Sequence, residues 1–154
     1  MQISADYTLK IAVILVRPVI WRRVLVPANI KLPQLHAVIQ IVMEAPDSLQ
    51  HFFIDGQKNI YADPAWKDFP KIKPSRDVRL EQLLRRPGDQ LAYYCGDDDD
   101  WEHTIELLNI TENVGRASPA ACTAGNRHSL RRRKSRKGSF LLPAINRMLQ
   151  RVRL

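Results

Sequence analysis

Two groups of cationic side chains could hold the phosphates of a nucleic acid. The first is Trp21-Arg22-Arg23, where an indole that can stack on a base stands beside two guanidiniums that can bind phosphate. The second is a block near the C-terminus made of Arg131, Arg132, Arg133, Lys134, Arg136 and Lys137. Because each neutralised phosphate releases counterions, this block favours nonspecific and salt-sensitive binding of DNA or RNA. In a competing interpretation of the first group, Trp21 packs in the core and the arginines pair with acids such as Glu102 and Glu106.

Acidic and imidazole side chains suggest a different chemistry. Asp97 to Asp100 are the densest set of hard oxygen ligands in the chain, and Glu102 and His103 follow them. A turn could gather some of these oxygens around a divalent cation, but four adjacent aspartates repel one another, and strand alternation sends Glu102 and His103 to opposite faces. We therefore expect a solvated acidic turn. The alternative is a metal-dependent enzyme site built from His36, His51, Asp99, Asp100 and His103.

The remaining reactive residues predict no further site. Cys95 and Cys122 are too few for a disulfide framework, and together with His128 they fall short of the four ligands of a structural zinc site. His36 follows the apolar Leu35 on a predicted helix, where a boundary position is the simplest interpretation. We therefore expect no catalytic residues, no metal and no cofactor, and the chain is predicted to be noncatalytic.

The charge is divided unevenly along the chain. The 24 Lys and Arg residues exceed the 16 Asp and Glu residues, which gives a net charge of +8. All 16 acids lie in residues 1–113, whereas residues 114–154 carry 11 cations and no acid. This asymmetry predicts an α+β body over 1–113, followed by a basic and largely disordered tail over 114–154. Apolar residues in that tail are spaced as in a short amphipathic helix at 143–153.

Apolar periodicity and turn signals place these residues on a small mixed fold. The predicted elements are strands at 7–16 and 19–27, a helix at 33–44, a strand at 51–61 with a hairpin tip at Asp55-Gly56, a short helix at 80–86, and strands at 90–95 and 101–110. The order β-β-α-β-α-β-β predicts a single-domain α+β roll that is β-grasp-like. No apolar run approaches the roughly 20 residues that span a bilayer, so we expect a cytoplasmic protein without a membrane partner.

Three motifs in this order resemble a known family. They are IWRRVLVP over 20–27, LPQLHAVIQ over 32–40 and GDDDDWEHTIEL over 96–107. Residues 5–112 are similar to the plasmid pRiA4b ORF-3 family, whose members carry I-W-R-R-x-x-V-P, then L-x-x-L-H-x-x-I-Q, then G-D-D-W-x-H-x-I. The resemblance implies a small α+β domain found on plasmids or as a passenger of insertion sequences and transposons, with no established reaction.

The chain departs from the family pattern in three places. After Met43 it lacks the family's Trp and His, and before Trp101 it lacks the family's Phe. After Ala121 to His128 the family's acidic sequence is replaced by the cationic block, and translation in a shifted frame is one hypothesis for this difference. Any site that the family builds on the missing residues does not carry over to this chain.

Together these observations predict a noncatalytic accessory domain of a mobile element that contacts DNA or RNA through Trp21-Arg22-Arg23 and the cationic block. One alternative is a protein-interaction module that offers a sheet edge to a protein partner. The other is the metal-dependent enzyme site described above. Nothing in the sequence predicts a substrate, a nucleic-acid sequence preference or an oligomeric state.

Overall fold

The computed structural model describes residues 3–13, 18–44, 50–65, 71–95, 102–114, 120–126, 142–152 and 154. Within these ranges the strands are β1 Ile3–Val13, β2 Ile20–Pro27, β3 His51–Ile54, β4 Ile60–Ala62, β5 Ile72–Pro74, β6 Gln90–Cys95, β7 Glu102–Val114 and β8 Ala121–Gly125. The helices are α1 Leu32–Val42 and α2 Leu142–Leu149, and a single 3-10 turn spans Leu80–Gln82. The predicted mixed α+β class is confirmed.

All described strands belong to one sheet, in the order β5-β4-β3-β6-β7-β1-β2-β8. Neighbours are antiparallel except for β4 and β5, which are parallel. The longest ladder joins β1 to β7, and the predicted N-terminal hairpin forms the ladder between β1 and β2. Because β6 and β3 follow β7 on its other side, the strands that carry His51 and His103 are separated only by β6.

Strand alternation gives the sheet two different faces. We call the face that carries Leu9, Val24 and Ile105 the inner face, because these side chains are fully buried in the core. Helix α1 adds its apolar residues to the same core: Leu35, Val38, Ile39 and Val42. We call the opposite face, which carries Lys10, Trp21, Arg23, Thr104 and Glu106, the outer face. Its side chains are half-buried or exposed.

Local signals fix the two ends of α1. The side chain of Gln34 accepts a 3.0 Å hydrogen bond from the backbone N–H of Lys31, and Pro33 has a φ that suits the first helical turn. At the other end, Glu44 adopts a left-handed φ of 54°, which terminates the helix. The helix predicted over 33–44 therefore corresponds to α1, and its position places His36 and Gln40 over the inner face.

Two predicted elements differ in the structure. The short helix expected at 80–86 is only the 3-10 turn Leu80–Gln82. Leu80 and Leu84 of this segment are both buried in the core. Between residues 61 and 80, where the sequence pattern predicts no helix or strand, the structure has the short strand β5, which pairs with β4. The β-grasp-like arrangement stays a prediction.

The sheet continues beyond residue 113, where the sequence pattern placed the end of the body. Strand β8 pairs with β2, with Cys122 opposite Val24. Its small residues Ala121 and Gly125 have weak strand propensity, which explains why composition and periodicity predict no strand here. Helix α2 falls largely within the helix predicted at 143–153, and its Ile145 and Leu149 are buried in the core. Residues 127–141 lie outside the described residues, so the expected disorder of the tail stays a prediction.

Candidate functional site

The outer face brings together an aromatic ring and two cations. Lys10 lies opposite Arg23 in the ladder between β1 and β2, and Trp21 lies two residues before Arg23 on the same face. The Lys10 ammonium is 6.0 Å from the centroid of the Trp21 ring, which is within the range of a cation–π interaction. Arg23 is exposed, and its Nε donates a 2.9 Å hydrogen bond to the hydroxyl of Thr123 on β8.

Arg22 does not lie on the outer face with Trp21 and Arg23. Alternation along β2 turns its side chain to the inner face, where it is fully buried. Its Nε donates to the carbonyl oxygen of Val42 at 2.7 Å, and its Nη1 donates to the carbonyl oxygen of Asn126 at 2.6 Å. Its Nη2 lies 3.4 Å from the Glu44 carboxylate. Burial lowers the pKa of this guanidinium, and the nearby Glu44 carboxylate opposes that effect.

Acidic side chains border the cations on the outer face. Lys10 lies opposite Glu106 across the ladder between β1 and β7. Farther along β7, Glu102 accepts a 2.6 Å hydrogen bond from the hydroxyl of Tyr94, and the Tyr94 ring stacks on Phe52 with centroids 4.7 Å apart. This hydrogen bond and burial raise the pKa of Tyr94 to about 12. The exposed cations therefore lie on β1 and β2, while β7 contributes acids.

Other predicted site residues lie outside the described residues. They are the acids Asp97 to Asp100 and the cationic block Arg131, Arg132, Arg133, Lys134, Arg136 and Lys137. The chain leads into that block from Asn126, which is described. The side chain of Asn126 accepts a 3.0 Å hydrogen bond from the Trp21 backbone N–H and donates a 2.7 Å hydrogen bond to the carbonyl of Val19. Asn126, the last described residue before the cationic block, is therefore hydrogen-bonded to the backbone next to Trp21.

A second group of polar side chains gathers under α1 on the inner face. Three histidines surround Tyr93, which is fully buried: His36 from α1, His51 from β3 and His103 from β7. The rings of His36 and His51 are stacked with centroids 3.6 Å apart, and the ring of His103 meets Tyr93 edge to face at 5.2 Å. We call these four residues, with Gln40 and Cys95, the inner cluster.

Hydrogen bonds connect the inner cluster to α1. The Tyr93 hydroxyl lies 2.6 Å from His36 Nδ1 and accepts a 3.2 Å hydrogen bond from Gln40 Nε2. The same amide nitrogen lies 2.8 Å from the Cys95 sulfur. Gln40 is only 6% exposed, and its Oε1 has no hydrogen-bond partner among the described residues. Rotating the amide by half a turn would exchange Oε1 and Nε2. In either orientation, one polar atom of this buried amide has no hydrogen-bond partner among the described residues.

The inner cluster lacks the arrangement of a metal centre in the part of the chain that the structure describes. Within those ranges no three His, Cys, Asp or Glu side chains are placed to hold a metal ion together. The stacked rings of His36 and His51 lie parallel and so do not converge on a common point. Cys95 and Cys122 are buried free thiols, and burial raises the pKa of Cys122.

Sequence reasoning identified the histidines but missed their neighbours. His51 and His103 belong to one possible site in the sequence analysis, and the structure places Tyr93 between them because β6 separates β3 from β7. The spacing of His36 and Gln40, one helical turn apart, was the available signal for Gln40. Lys10 carried no signal, since only the strand register shows that it lies beside Trp21.

Among the described residues, no helix has the length and apolar character needed to cross a membrane.

Comparisons with known proteins agree with the fold. The crystal structure of a protein of unknown function, MM3350 from Methanosarcina mazei Go1, superposes with a TM-score of 0.71 at 24% sequence identity, covering 82% of this chain and 72% of that chain. The relative "Uncharacterized protein y4hQ" from Sinorhizobium fredii (strain NBRC 101917 / NGR234) is 31% identical over 121 residues. That alignment covers 76% of this chain and 60% of the relative, so the chain spans about three fifths of the relative's length.

The family comparison covers most of the chain, including strand β8. The model of the family described as plasmid pRiA4b ORF-3-like protein matches residues 5–131. These residues contain the three motifs at 20–27, 32–40 and 96–107. The chain belongs to the plasmid pRiA4b ORF-3-like family.

Proposed function

We propose that this chain is a noncatalytic accessory domain of a mobile element that binds single-stranded nucleic acid on its outer face. The observation that carries the proposal is the placement of Lys10, Trp21 and Arg23 side by side on β1 and β2. An aromatic ring on an open sheet can stack on a base, and neighbouring cations can bind the adjoining phosphates.

The position of β8 supports a joint role for the cationic block. Asn126 is bonded to the backbone at Trp21 and Val19, and the block begins five residues later at Arg131. At about 3.5 Å per extended residue, five residues span at most about 18 Å. We therefore expect Arg131, at the start of the block, to reach a strand bound at Trp21 and to add sequence-independent attraction for phosphate.

The test measures the fluorescence anisotropy of a labelled single strand and a labelled duplex with the full chain at near-physiological salt. We expect the single strand to bind more tightly than the duplex, and we expect Trp21→Ala to weaken binding of the single strand by about fivefold or more, because base stacking contributes about 1–3 kcal/mol. Arg79→Gln is the matched control, since Arg79 is exposed and its side chain bonds to the carbonyl of Asn29, away from the outer face. Equal affinity of wild type and Trp21→Ala would reject the proposal.

A second candidate function is the metal-dependent enzyme site that the sequence offers as an alternative. The gathering of His36, His51 and His103 around one tyrosine favours it, whereas the described residues place no three ligands to hold a metal ion together, so a metal would require the rings to reorient. Metal analysis of the purified chain after dialysis distinguishes the two functions. Stoichiometric metal that disappears in His103→Ala would favour this candidate, and a metal-free chain would reject it.

A further inference from the structure

Strand β7 extends beyond its neighbour β6. The ladder between the two strands ends with Gln90 opposite Glu106, and the last backbone bonds on that side join Leu107 to Gly88 and Asp89. Residues 109–114 continue to pair with β1 on the other side, from Asn109 opposite Thr8 to Val114 opposite Ile3. Among the described residues, this part of β7 therefore has a backbone partner on one side only.

Among the described residues, the side chains along this free edge are exposed. Five successive residues from Leu108 to Glu112 are exposed, and Leu108 and Ile110 are 38% and 36% exposed. A bulge lies at Leu108, but regular pairing with β1 resumes at Asn109. Proteins block free edges with proline, charged side chains, bulges or a covering element. The sequence LNITENV over 108–114 contains no proline and no lysine, and Glu112 is its one charged residue.

The two terminal edges of the sheet are protected by contrast. Strand β5 has only three residues, and two of them are Lys73 and Pro74. On β8, the side chain of Asn146 accepts a 2.7 Å hydrogen bond from the Cys122 N–H and donates a 2.9 Å hydrogen bond to the Cys122 carbonyl. Asn146 thus occupies the backbone groups that an added strand would use. In the part of the chain that the structure describes, both ends of the sheet are therefore protected, and the β7 edge has no such protection.

We propose that the exposed edge of β7 pairs with the same edge of a second copy of this chain, antiparallel about a two-fold axis near Ile110. In an antiparallel pair of identical edges, the backbone N–H and C=O groups of each strand bond to those of the other. Because the two-fold axis relates the two copies, the assembly closes as a dimer. The dimer joins two eight-stranded sheets into one, with β7 of each copy at the centre.

The side chains suit this register. With the axis at Ile110, each Ile110 faces the same residue of the second copy, and two exposed aliphatic side chains cover each other. Asn109 then lies opposite Thr111, and Leu108 lies opposite Glu112, so no like charges meet. Apolar residues at the centre and polar residues beside them are the arrangement expected of a small interface between copies.

Sedimentation velocity of the full chain over a concentration series tests the proposal. We expect a monomer–dimer equilibrium in the wild type and a shift of at least tenfold toward monomer in Ile110→Lys, which places two lysines opposite each other at the axis. Met148→Lys is the control, because Met148 is an exposed apolar residue on α2 and is expected to leave the equilibrium unchanged. A wild type that is monomeric throughout, or a dimer that Ile110→Lys leaves intact, would overturn the proposal.

A cysteine variant tests the register without requiring a destabilising charge. Residues directly opposite in an antiparallel pair have Cα atoms about 4.5–5.5 Å apart, which fits the geometry of a disulfide. Under mild oxidation, Ile110→Cys is expected to form a covalent dimer at concentrations where Met148→Cys does not, since native Cys95 and Cys122 are buried. Equal crosslinking of the two variants would contradict pairing at Ile110.

Discussion

The Nε of Arg22 lies 2.7 Å from the carbonyl oxygen of Val42, so a strand residue bonds to the last turn of α1. Carbonyls at a helix C-terminus lack partners within the helix and carry partial negative charge, which favours a cation at this position. The same guanidinium bonds to Asn126 at the end of β8 and pairs with Glu44. Arg22 therefore holds together β2, α1 and β8, and this role accounts for its complete burial.

The first prediction concerns the stability that Arg22 provides. Arg22→Met leaves the Glu44 carboxylate and the three backbone carbonyls that bind Arg22 without their cation, so we expect the free energy of unfolding to fall by about 3–5 kcal/mol. Denaturant titration measures the change. Arg23→Met, on the exposed side of the same strand, is the control and is expected to change stability by about 0.5 kcal/mol or less. A decrease of less than about 1 kcal/mol in Arg22→Met would contradict the structural role.

The second prediction concerns the attachment of α2 to the sheet. Asn146→Ala removes two hydrogen bonds to the backbone of Cys122, and we expect it to destabilise the chain by about 1–3 kcal/mol. The amide of Cys122 should then exchange its hydrogen faster with solvent, which amide exchange measured by NMR detects directly. Met148→Ala, on the exposed side of α2, should leave that exchange rate unchanged. Unaltered exchange in Asn146→Ala would show that the side chain does not protect β8.

The third prediction concerns stability at alkaline pH. The hydrogen bond to Glu102 and burial raise the pKa of Tyr94 to about 12, whereas an unfolded tyrosine titrates near 10. The folded chain therefore keeps this proton at pH values where the unfolded chain releases it. Its contribution to stability is complete below pH 10 and disappears as the pH rises toward 12. Chemical denaturation at several pH values should show a weaker pH dependence above 10 in Tyr94→Phe than in the wild type. Identical slopes would contradict the shift.

Absorbance at 295 nm provides an independent check on the same phenol. The pKa of Tyr61 is also raised to about 12, by burial and by its 3.0 Å hydrogen bond to the Asp55 carboxylate. Both tyrosines should therefore ionise late in a titration of the folded chain. Tyr94→Phe and Tyr61→Phe should each remove late-titrating absorbance. If either variant instead lacks absorbance that appears near pH 10, the corresponding hydrogen bond is absent in solution.

The alternation of residues along β2 is sufficient to predict which face of the strand is buried. It does not predict which of the two arginines has a structural role. The alternation of residues along β2 puts Arg22 on the same face as Ile20 and Val24, and Arg23 lies on the opposite face. The partners of Arg22 come from 20 and 104 residues away, so no local signal could separate a structural arginine from a surface one. The distinction depends on where α1 and β8 pack.

The inner cluster and strand β8 could not be predicted from the sequence, for two different reasons. His36, His51 and His103 are visible in the sequence, but their gathering depends on β6 lying between β3 and β7, and strand order is a long-range property. Three of the five residues of β8 are Ala or Gly, whose intrinsic preference for strands is weak, and pairing with β2 stabilises the strand. The three sequence motifs succeeded because they identify a family, and the family comparison now covers β8 as well.

The salt dependence of single-strand binding tests the central claim most directly. The measurement compares the full chain with the double variant Lys10→Gln, Arg23→Gln, plotting the logarithm of the affinity against the logarithm of the salt concentration. If both cations bind phosphate, the variant binds more weakly at near-physiological salt, and its slope is shallower by about 0.7 for each phosphate that is no longer neutralised. If the double variant keeps the wild-type slope and affinity, the outer face does not bind the backbone of a nucleic acid, and the proposed function is wrong.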